Sequence, residues 1–352
     1  MRTSTEHRHD LVVMGASAGG VETLRRVVGG LPADLPATVC IVLHIAPGSP
    51  SALAQILQRS SRMSCRAAGD GDPLEPGQIL VAPPDRHLVV EDLHVCLSVG
   101  PRENGHRPAI DALFRSAAAQ RDRKVIGVVL SGTRDDGSAG LAAIKAHGGR
   151  TVVQDPEEAL YPGMPRSALA SVEVDAVVPS ERVAEVVIAM VNGDSLPPGS
   201  RPPRNPGGDD SLHIAAWPND DAPVTTICPE CGGVLSERHE AGVVQWECRV
   251  GHRYSPESLL NAQAGDVEAA MWAAVRALED RRLMLERMAR QFHAQEQSIS
   301  ARSMQRRASE AARQAHAVRE ALAGAPTSLG EIGDAQETER DRLDDREEGL
   351  AS

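Results

Sequence analysis

The sequence predicts an α/β domain on a largely parallel sheet, then a small cysteine-bearing module and a long helical segment. Three observations predict it. Apolar runs alternate with amphipathic helical patterns from residue 10 to about 192. Aromatic residues make up only 2% of the 352, so the core has to be Val, Leu, Ile and Ala, which suits strands buried on both faces. Finally, Cys228, Cys231, Cys248 and His252 are clustered ahead of a stretch rich in Ala, Glu, Arg, Gln and Met.

Taken in order, the strand-like runs are Leu11–Met14, Thr38–Leu43, Gln78–Ala82, His94–Val99, Val125–Leu130, Thr151–Gln154 and Val174–Val178. The helical patterns are Gly20–Gly30, Ser51–Arg59, Ala109–Arg121, Gly137–Ala146, Met164–Ala170 and Ser180–Val191. The third and fourth runs lie close together, so an antiparallel hairpin is expected between them. Strand order is not legible from spacing.

The domains expected are an N-terminal tail over 1–9, an α/β domain over 10–193, a linker over 194–224, a cysteine module over 225–262, a helical segment over 263–320 and an acidic tail over 321–352. The linker is rich in Pro, Gly and Asp and has no periodicity. In the helical segment Met271, Val275, Leu278, Leu285, Met288 and Phe292 form a narrow apolar stripe. That stripe suits an antiparallel helical hairpin or a face for a partner or a second copy; a helix docked on its own chain fits as well. The tail holds nine acids against three arginines, half of the net charge of −12, and reads as disordered. An acidic chain of this kind is not built to grip nucleic acid. The N-terminus lacks an apolar signal core and no run reaches the roughly 18 apolar residues of a membrane span, so a cytoplasmic location is expected.

The chemistry starts at Gly15-Ala16-Ser17-Ala18-Gly19-Gly20, a glycine-rich turn between the first strand and its helix. Gly15-x-Ser17-x-Gly19 fits a nucleophile elbow, with the N–H of Ala18 as the nearest oxyanion donor. The rival reading, a phosphate cradle, lacks both Gly-x-Gly-x-x-Gly and Gly-Lys-Ser/Thr. A serine nucleophile needs a base and a group that orients the base. His44 closes the second strand, and Asp135 and Asp136 follow the strand that ends at Leu130. In an open α/β sheet such positions gather at one edge. His87 and His106 are rival bases, and His106 can instead line the pocket. Both aspartates also suit a helix N-cap. The order Ser, His, Asp differs from the Ser, Asp, His of the α/β-hydrolases.

Residues from about Leu11 to Val191 resemble the catalytic domain of the chemotaxis protein-glutamate methylesterases of the CheB type. The matching stretches are GASAGG at 15–20, LHIAPG at 43–48, DGDPLEPGQILVAPPDRHL at 70–88, NGHRPAIDALF at 104–114, VIGVVLSGTRDDGSAG at 125–140 and GMPRSAL at 163–169. The resemblance implies a seven-stranded, doubly wound, three-layer sheet. It puts the nucleophile on Ser17, the base on His44 and the aspartate on Asp136; around them, Ala18, Thr133, Arg134, His106 and Arg107 are the candidate oxyanion and pocket residues. It implies hydrolysis of glutamyl γ-methyl esters, with glutamine deamidation in many members, on methylated chemoreceptors or similar signalling proteins, and no cofactor for catalysis. The alternative is a non-catalytic signalling scaffold that keeps the fold. Ser17 falls within the first twenty residues, so a stand-alone form is expected, without the receiver domain of the two-component members. Where the family usually has Gly-Met-Gly, this chain has Gly132-Thr133-Arg134, and an arginine is strained there if residue 134 takes a positive φ.

Cys228-x2-Cys231 and Cys248-x3-His252 give four ligands at zinc-ribbon spacing. A module of under forty residues buries little core, so a structural zinc is expected to supply its folding free energy. A redox or incidental thiol pair is the plainer reading.

Overall fold

The computed structural model describes residues 10–45, 52–120, 122–200 and 226–324. The expected N-terminal tail, most of the linker and nearly all of the acidic tail lie outside the described residues. The chain divides into two units, one ending at Leu259 and one starting at Leu260.

In the first unit, β1 (Asp10–Ala16) leads into α1 (Gly20–Gly30), and β2 (Ala37–Leu43) into α2 (Leu53–Gln58). Then come β3 (Ser64–Ala67), β4 (Gln78–Val81), β5 (His87–Glu91), β6 (His94–Ser98) and α3 (Ile110–Ala118). β7 (Val125–Val129), α4 (Ser138–Ala146), β8 (Arg150–Gln154), α5 (Gly163–Ser171), β9 (Ala176–Val178) and α6 (Ser180–Asn192) complete the alternation. Seven strands form one sheet in the order β3-β4-β2-β1-β7-β8-β9, and every pairing in it is parallel.

The apolar runs behave as strands covered on both faces should. Val12, Met14 and Ala16 of β1 pack with Leu24, Val27 and Val28 of α1 and Val183, Val186 and Val187 of α6. Leu11 and Val13 point the other way, toward Leu113 and Phe114 of α3 and Leu141 and Ile144 of α4. The strands therefore need no polar alternation, and the sheet is doubly wound as expected.

The expected hairpin is corrected. The run at 78–82 is not its first arm; β4 lies inside the parallel sheet, between β3 and β2. The segment near 94–99 pairs antiparallel with β5 in a separate two-stranded ribbon, with Glu91 opposite His94. Ahead of the cysteine module, two strands escaped the sequence reading. β3, Ser-Cys-Arg-Ala, is a mostly exposed edge strand with little apolar signal. β5 follows Pro83-Pro84 closely, and its turn at Asp92-Leu93 lacks the glycine that marks a two-residue hairpin.

β1 has β2 on one side and β7 on the other, and the chain crosses between these halves of the sheet. The crevice at the carboxyl ends of these strands is the switch point at which open α/β sheets place their chemistry.

Later in the same unit, β10 (Leu235–Glu240), β11 (Val243–Cys248) and β12 (Arg253–Tyr254) form a small antiparallel sheet. α7 (Pro256–Ala294) begins at its end, and α8 (Ser298–Gly324) follows. In the second unit, α8 buries Ala301, Ala308, Ala311 and Ala315, while Val275, Leu285 and Ala289 are buried on α7. Arg319 of α8 bonds Glu279 of α7 at 3.0 Å. No helix among the described residues is long and apolar enough to cross a membrane.

Candidate active site

Ser17 directly follows β1. Its N–H donates to the Ser131 carbonyl at 2.9 Å, which ties the turn to the end of β7. The Ser131 hydroxyl donates to the Ala18 carbonyl at 2.9 Å and pins the turn from the other side. Gly19 caps α1 with φ of 69°, a conformation that excludes most side chains, so α1 can start abruptly behind the serine.

The structure brings Ser17, His44 and Asp136 together. His44 Nδ1 lies 3.1 Å from Ser17 Oγ, and His44 Nε2 lies 2.7 Å from Asp136 Oδ2. The side chains of His44 and Asp136 are 7% and 2% exposed, so this chain of contacts is shielded from water. Asp136 also accepts from the N–H of Ile110 at 2.7 Å, the N–H of Asp111 at 3.1 Å and the Asn104 amide at 2.9 Å. Burial works to raise its carboxyl, but the hydrogen bond and charge of His44, helped by the Ile110 N–H, hold it below the ordinary carboxylate range. Its neighbour Asp111 is pushed well up, first by burial and then by the charge of Asp136. Two adjacent carboxyls with opposed shifts leave the negative charge on Asp136, which faces the imidazole.

The remaining candidates separate. His106 stacks on His44 with ring centroids 3.7 Å apart and planes 10° from parallel. Burial, then the nearby His44, hold it down to about 3, so it is neutral at pH 7 and packs against the His44 ring. His87 is spoken for: Nε2 bonds the Pro101 carbonyl at 2.9 Å and Nδ1 accepts the Ala109 N–H at 3.2 Å. Arg107 turns away from the three residues. Its guanidinium donates to Asp85 at 2.7 and 3.0 Å and to the carbonyls of Val99 and Gly100, tying down the loop after the β5–β6 ribbon. Thr133 and Arg134 are exposed, and Arg134 has φ of 66°, so the condition under which an arginine is strained there is met. Asp135 does not meet His44; its Oδ1 accepts from Ser258 Oγ at 2.6 Å. Sequence reasoning missed Asn104. The only signal was Asn-Gly ahead of His106, which marks a turn and says nothing of an amide aimed at a carboxylate.

The second cluster is Cys228, Cys231, Cys248 and His252, whose ligand atoms all lie within 4.8 Å of one another. Cys231 Sγ is 3.7 Å from Cys248 Sγ, and His252 Nδ1 is 3.7 Å from Cys228 Sγ and 3.5 Å from Cys248 Sγ. A tetrahedral ion with metal–sulfur bonds of about 2.3 Å and metal–nitrogen bonds of about 2.0–2.1 Å has edges of roughly 3.5–3.8 Å. The donor set therefore fits one metal ion. Tight turns hold it: the Gly232 N–H donates to the Cys228 carbonyl at 2.8 Å, and the Gly251 N–H to the Cys248 carbonyl at 2.9 Å.

Comparison with known proteins bears on the α/β domain. The CheB methylesterase family matches residues 12–187. The chain is 43% identical over 176 residues to a protein-glutamate methylesterase/protein-glutamine glutaminase of Anaeromyxobacter dehalogenans, covering 50% of this chain and 52% of that protein. It is 40% identical over 182 residues to one from Pseudomonas aeruginosa, covering 51% and 52%. A relative from Leptospira interrogans is 37% identical over 183 residues and is covered over 95% of its length. The crystal structure of the Thermotoga maritima CheB methylesterase catalytic domain superposes with a TM-score of 0.50 at 31% identity, over 52% of this chain and 99% of that one. The chain thus spans about half the length of the Anaeromyxobacter and Pseudomonas relatives.

Proposed function

The chain belongs to the CheB methylesterase family, and from that premise we propose that it hydrolyses glutamyl γ-methyl esters on a chemoreceptor-like signalling protein, with Ser17, His44 and Asp136 as its catalytic triad. The observation that carries the reading is the unbroken run of contacts from the Ser17 hydroxyl through the His44 ring to the Asp136 carboxylate. In this reading His44 takes the Ser17 proton on Nδ1 as the oxygen attacks the ester carbonyl. Asp136 holds the ring orientation and stabilises the imidazolium. The oxyanion forms beside the start of α1, with the Ala18 N–H as its donor. The proton on His44 leaves with methoxide as methanol. Water, deprotonated by the same ring, then cleaves the acyl-enzyme to the free glutamate and regenerates Ser17. A glutamine side chain would follow the same path and release ammonia.

The test is methanol release from a peptide carrying a glutamyl γ-methyl ester. Wild type should turn over, and Ser17→Ala should lose at least about a thousandfold in kcat. Equal rates would leave the non-catalytic scaffold as the better reading.

The cysteine module is proposed to bind one structural zinc ion through Cys228, Cys231, Cys248 and His252. Four protein donors leave no open position, so the ion would hold the fold and take no part in the chemistry. Metal analysis should find one zinc per chain, and Cys228→Ser should lose it. Trp272, Leu283 and Met284 of α7 are more than half exposed, which supports a partner or a second copy on the C-terminal helices. A chain that stays monomeric and captures no partner would remove that part of the proposal.

A further inference from the structure

Asp136 is held partly from outside the sheet. Of the donors to its carboxylate, the His44 ring and the N–H groups of Ile110 and Asp111 belong to the sheet edge and α3. The fourth, Asn104 Nδ2, lies on a loop that the cysteine module grips. The Asn104 side-chain oxygen accepts the Ser255 N–H at 2.8 Å, and the Asn104 N–H donates to the Arg253 carbonyl at 2.8 Å. Glu103 and Arg253 form a parallel bridge at the same place. Arg253 directly follows His252, one of the four metal-type ligands.

A second tie runs alongside. Ser255 Oγ accepts the Ser258 N–H at 3.4 Å, and Pro256 opens α7, the arrangement of an N-capped helix start. Ser258 Oγ donates to Asp135, the residue next to Asp136. Asn104, Asp135, Asp136, Ser255 and Ser258 are all 5% exposed or less, so water does not compete for these bonds.

The Ser255 N–H also decides which way the Asn104 amide faces. Its Nδ2 donates to Asp111 and Asp136 together, both at 2.9 Å. Turned over, the amide would aim its oxygen at two carboxyls. With Ser255 N–H on the oxygen, only the observed orientation satisfies every partner.

We propose that the Cys3His module is a brace for the triad carboxylate: it fixes Asn104, and Asn104 fixes Asp136, so that metal occupancy sets turnover. Asn104 is a positioning residue, acting through Asp136 and not on substrate. The proposal rests on the methylesterase reading for its effect on turnover, but not for its effect on structure. A module of this size depends on its metal for order, so metal loss frees residues 253–258 and with them the bonds to Asn104 and Asp135. By analogy with the partners that orient metal ligands, whose loss costs about 10–100-fold, a drop in activity of that order is expected when the bond from Asn104 is lost.

The experiment uses the full chain, zinc-loaded and after chelation, with Asn104→Ala, Ser258→Ala and Cys231→Ser. Methanol release and amide hydrogen exchange are both measured. Chelation, Cys231→Ser and Asn104→Ala should each lower kcat about 10–100-fold with KM within about twofold, and zinc should restore only the chelated wild type. Ser258→Ala should lower kcat less. In the chelated chain, exchange at the Ile110 and Asp111 amides, which donate to Asp136, should speed up, while that of Val13 in β1 and Val152 in β8 should not. Three outcomes overturn the brace. One is unchanged kcat and unchanged exchange on metal loss. Another is a rise in KM at constant kcat. The third is faster exchange throughout the sheet, which would make the module a general stabiliser. If the zinc-loaded chain releases no methanol, the methylesterase reading fails, and the Ile110 and Asp111 amides still decide the brace.

Discussion

Gly132→Ala tests the geometry of the serine turn without touching a reacting group. A Cβ on Gly132 would lie 2.1 Å from Met164 Sδ and 2.8 Å from Ser17 Cβ. The methionine end is flexible and can swing aside, but the second contact is to a residue pinned by its backbone. The Ser17 N–H is bound to Ser131, the Gly132 N–H to the Tyr161 carbonyl at 2.9 Å, and the Gly132 carbonyl to the Met164 N–H at 2.8 Å. Opening 2.8 Å to an ordinary contact of 3.4 Å moves the serine by about 0.6 Å. A displacement of 1 Å in a reacting geometry costs about a hundredfold, so a loss of roughly tenfold in kcat is expected. Overpacking should also cost about 1–3 kcal/mol of stability, a fall in Tm of a few degrees or more.

Gly149→Ala is the control. Its Cβ would meet Ile144 at 2.5 Å and the Val125 carbonyl at 2.7 Å, at the start of β8 and away from Ser17, His44 and Asp136. It should lose similar stability and keep its kcat per folded molecule. The assay is kcat and Tm for both variants at a temperature where each is folded. Equal retention of kcat in the two would refute the placement of the working serine at this turn.

Two further predictions follow from strain and charge. Arg134→Gly relieves about 1–2 kcal/mol of left-handed strain and gives back about 0.5–1 kcal/mol through the freer unfolded chain, so thermal unfolding should show a rise in Tm of up to about 6 °C; a fall would mean that the arginine side chain holds the loop. Glu257, in the first turn of α7, is pushed up to about 7, by burial first and by Asp135 second. Its unfolded form loses its proton near pH 4.5 and its folded form does not, so stability declines as pH rises between these values and stays lower above them. Glu257→Gln should therefore unfold later than wild type at pH 8 and equally at pH 4; a gap that is the same at both would remove the charge explanation.

Much of this was legible in the chain. The doubly buried strands announced themselves because a parallel sheet covered on both faces needs no polar alternation, and β1, β2 and β7 are unbroken apolar runs. Ser17, His44 and Asp136 stood out because each follows the carboxyl end of such a strand. β3 and β5 did not, since an exposed edge and a short ribbon owe their pairing to neighbours and not to their own sequence. The pocket candidates divided for a similar reason. Nothing in the residues near 104–107 tells that His106 lies on His44, that Arg107 is consumed by Asp85, or that Asn104 reaches Asp136. Those assignments depend on where a loop meets elements distant in sequence, as with Ser255 and Asn104, 151 residues apart.

A kinetic cycle on Ser17→Ala and His44→Ala, scored by kcat for methyl ester hydrolysis, tests most directly whether the hydroxyl and the imidazole work as one unit. Each single change should cost about as much as the pair together, because removing either member disables the same step. Losses that multiply in the double variant would contradict a shared proton path between these two side chains.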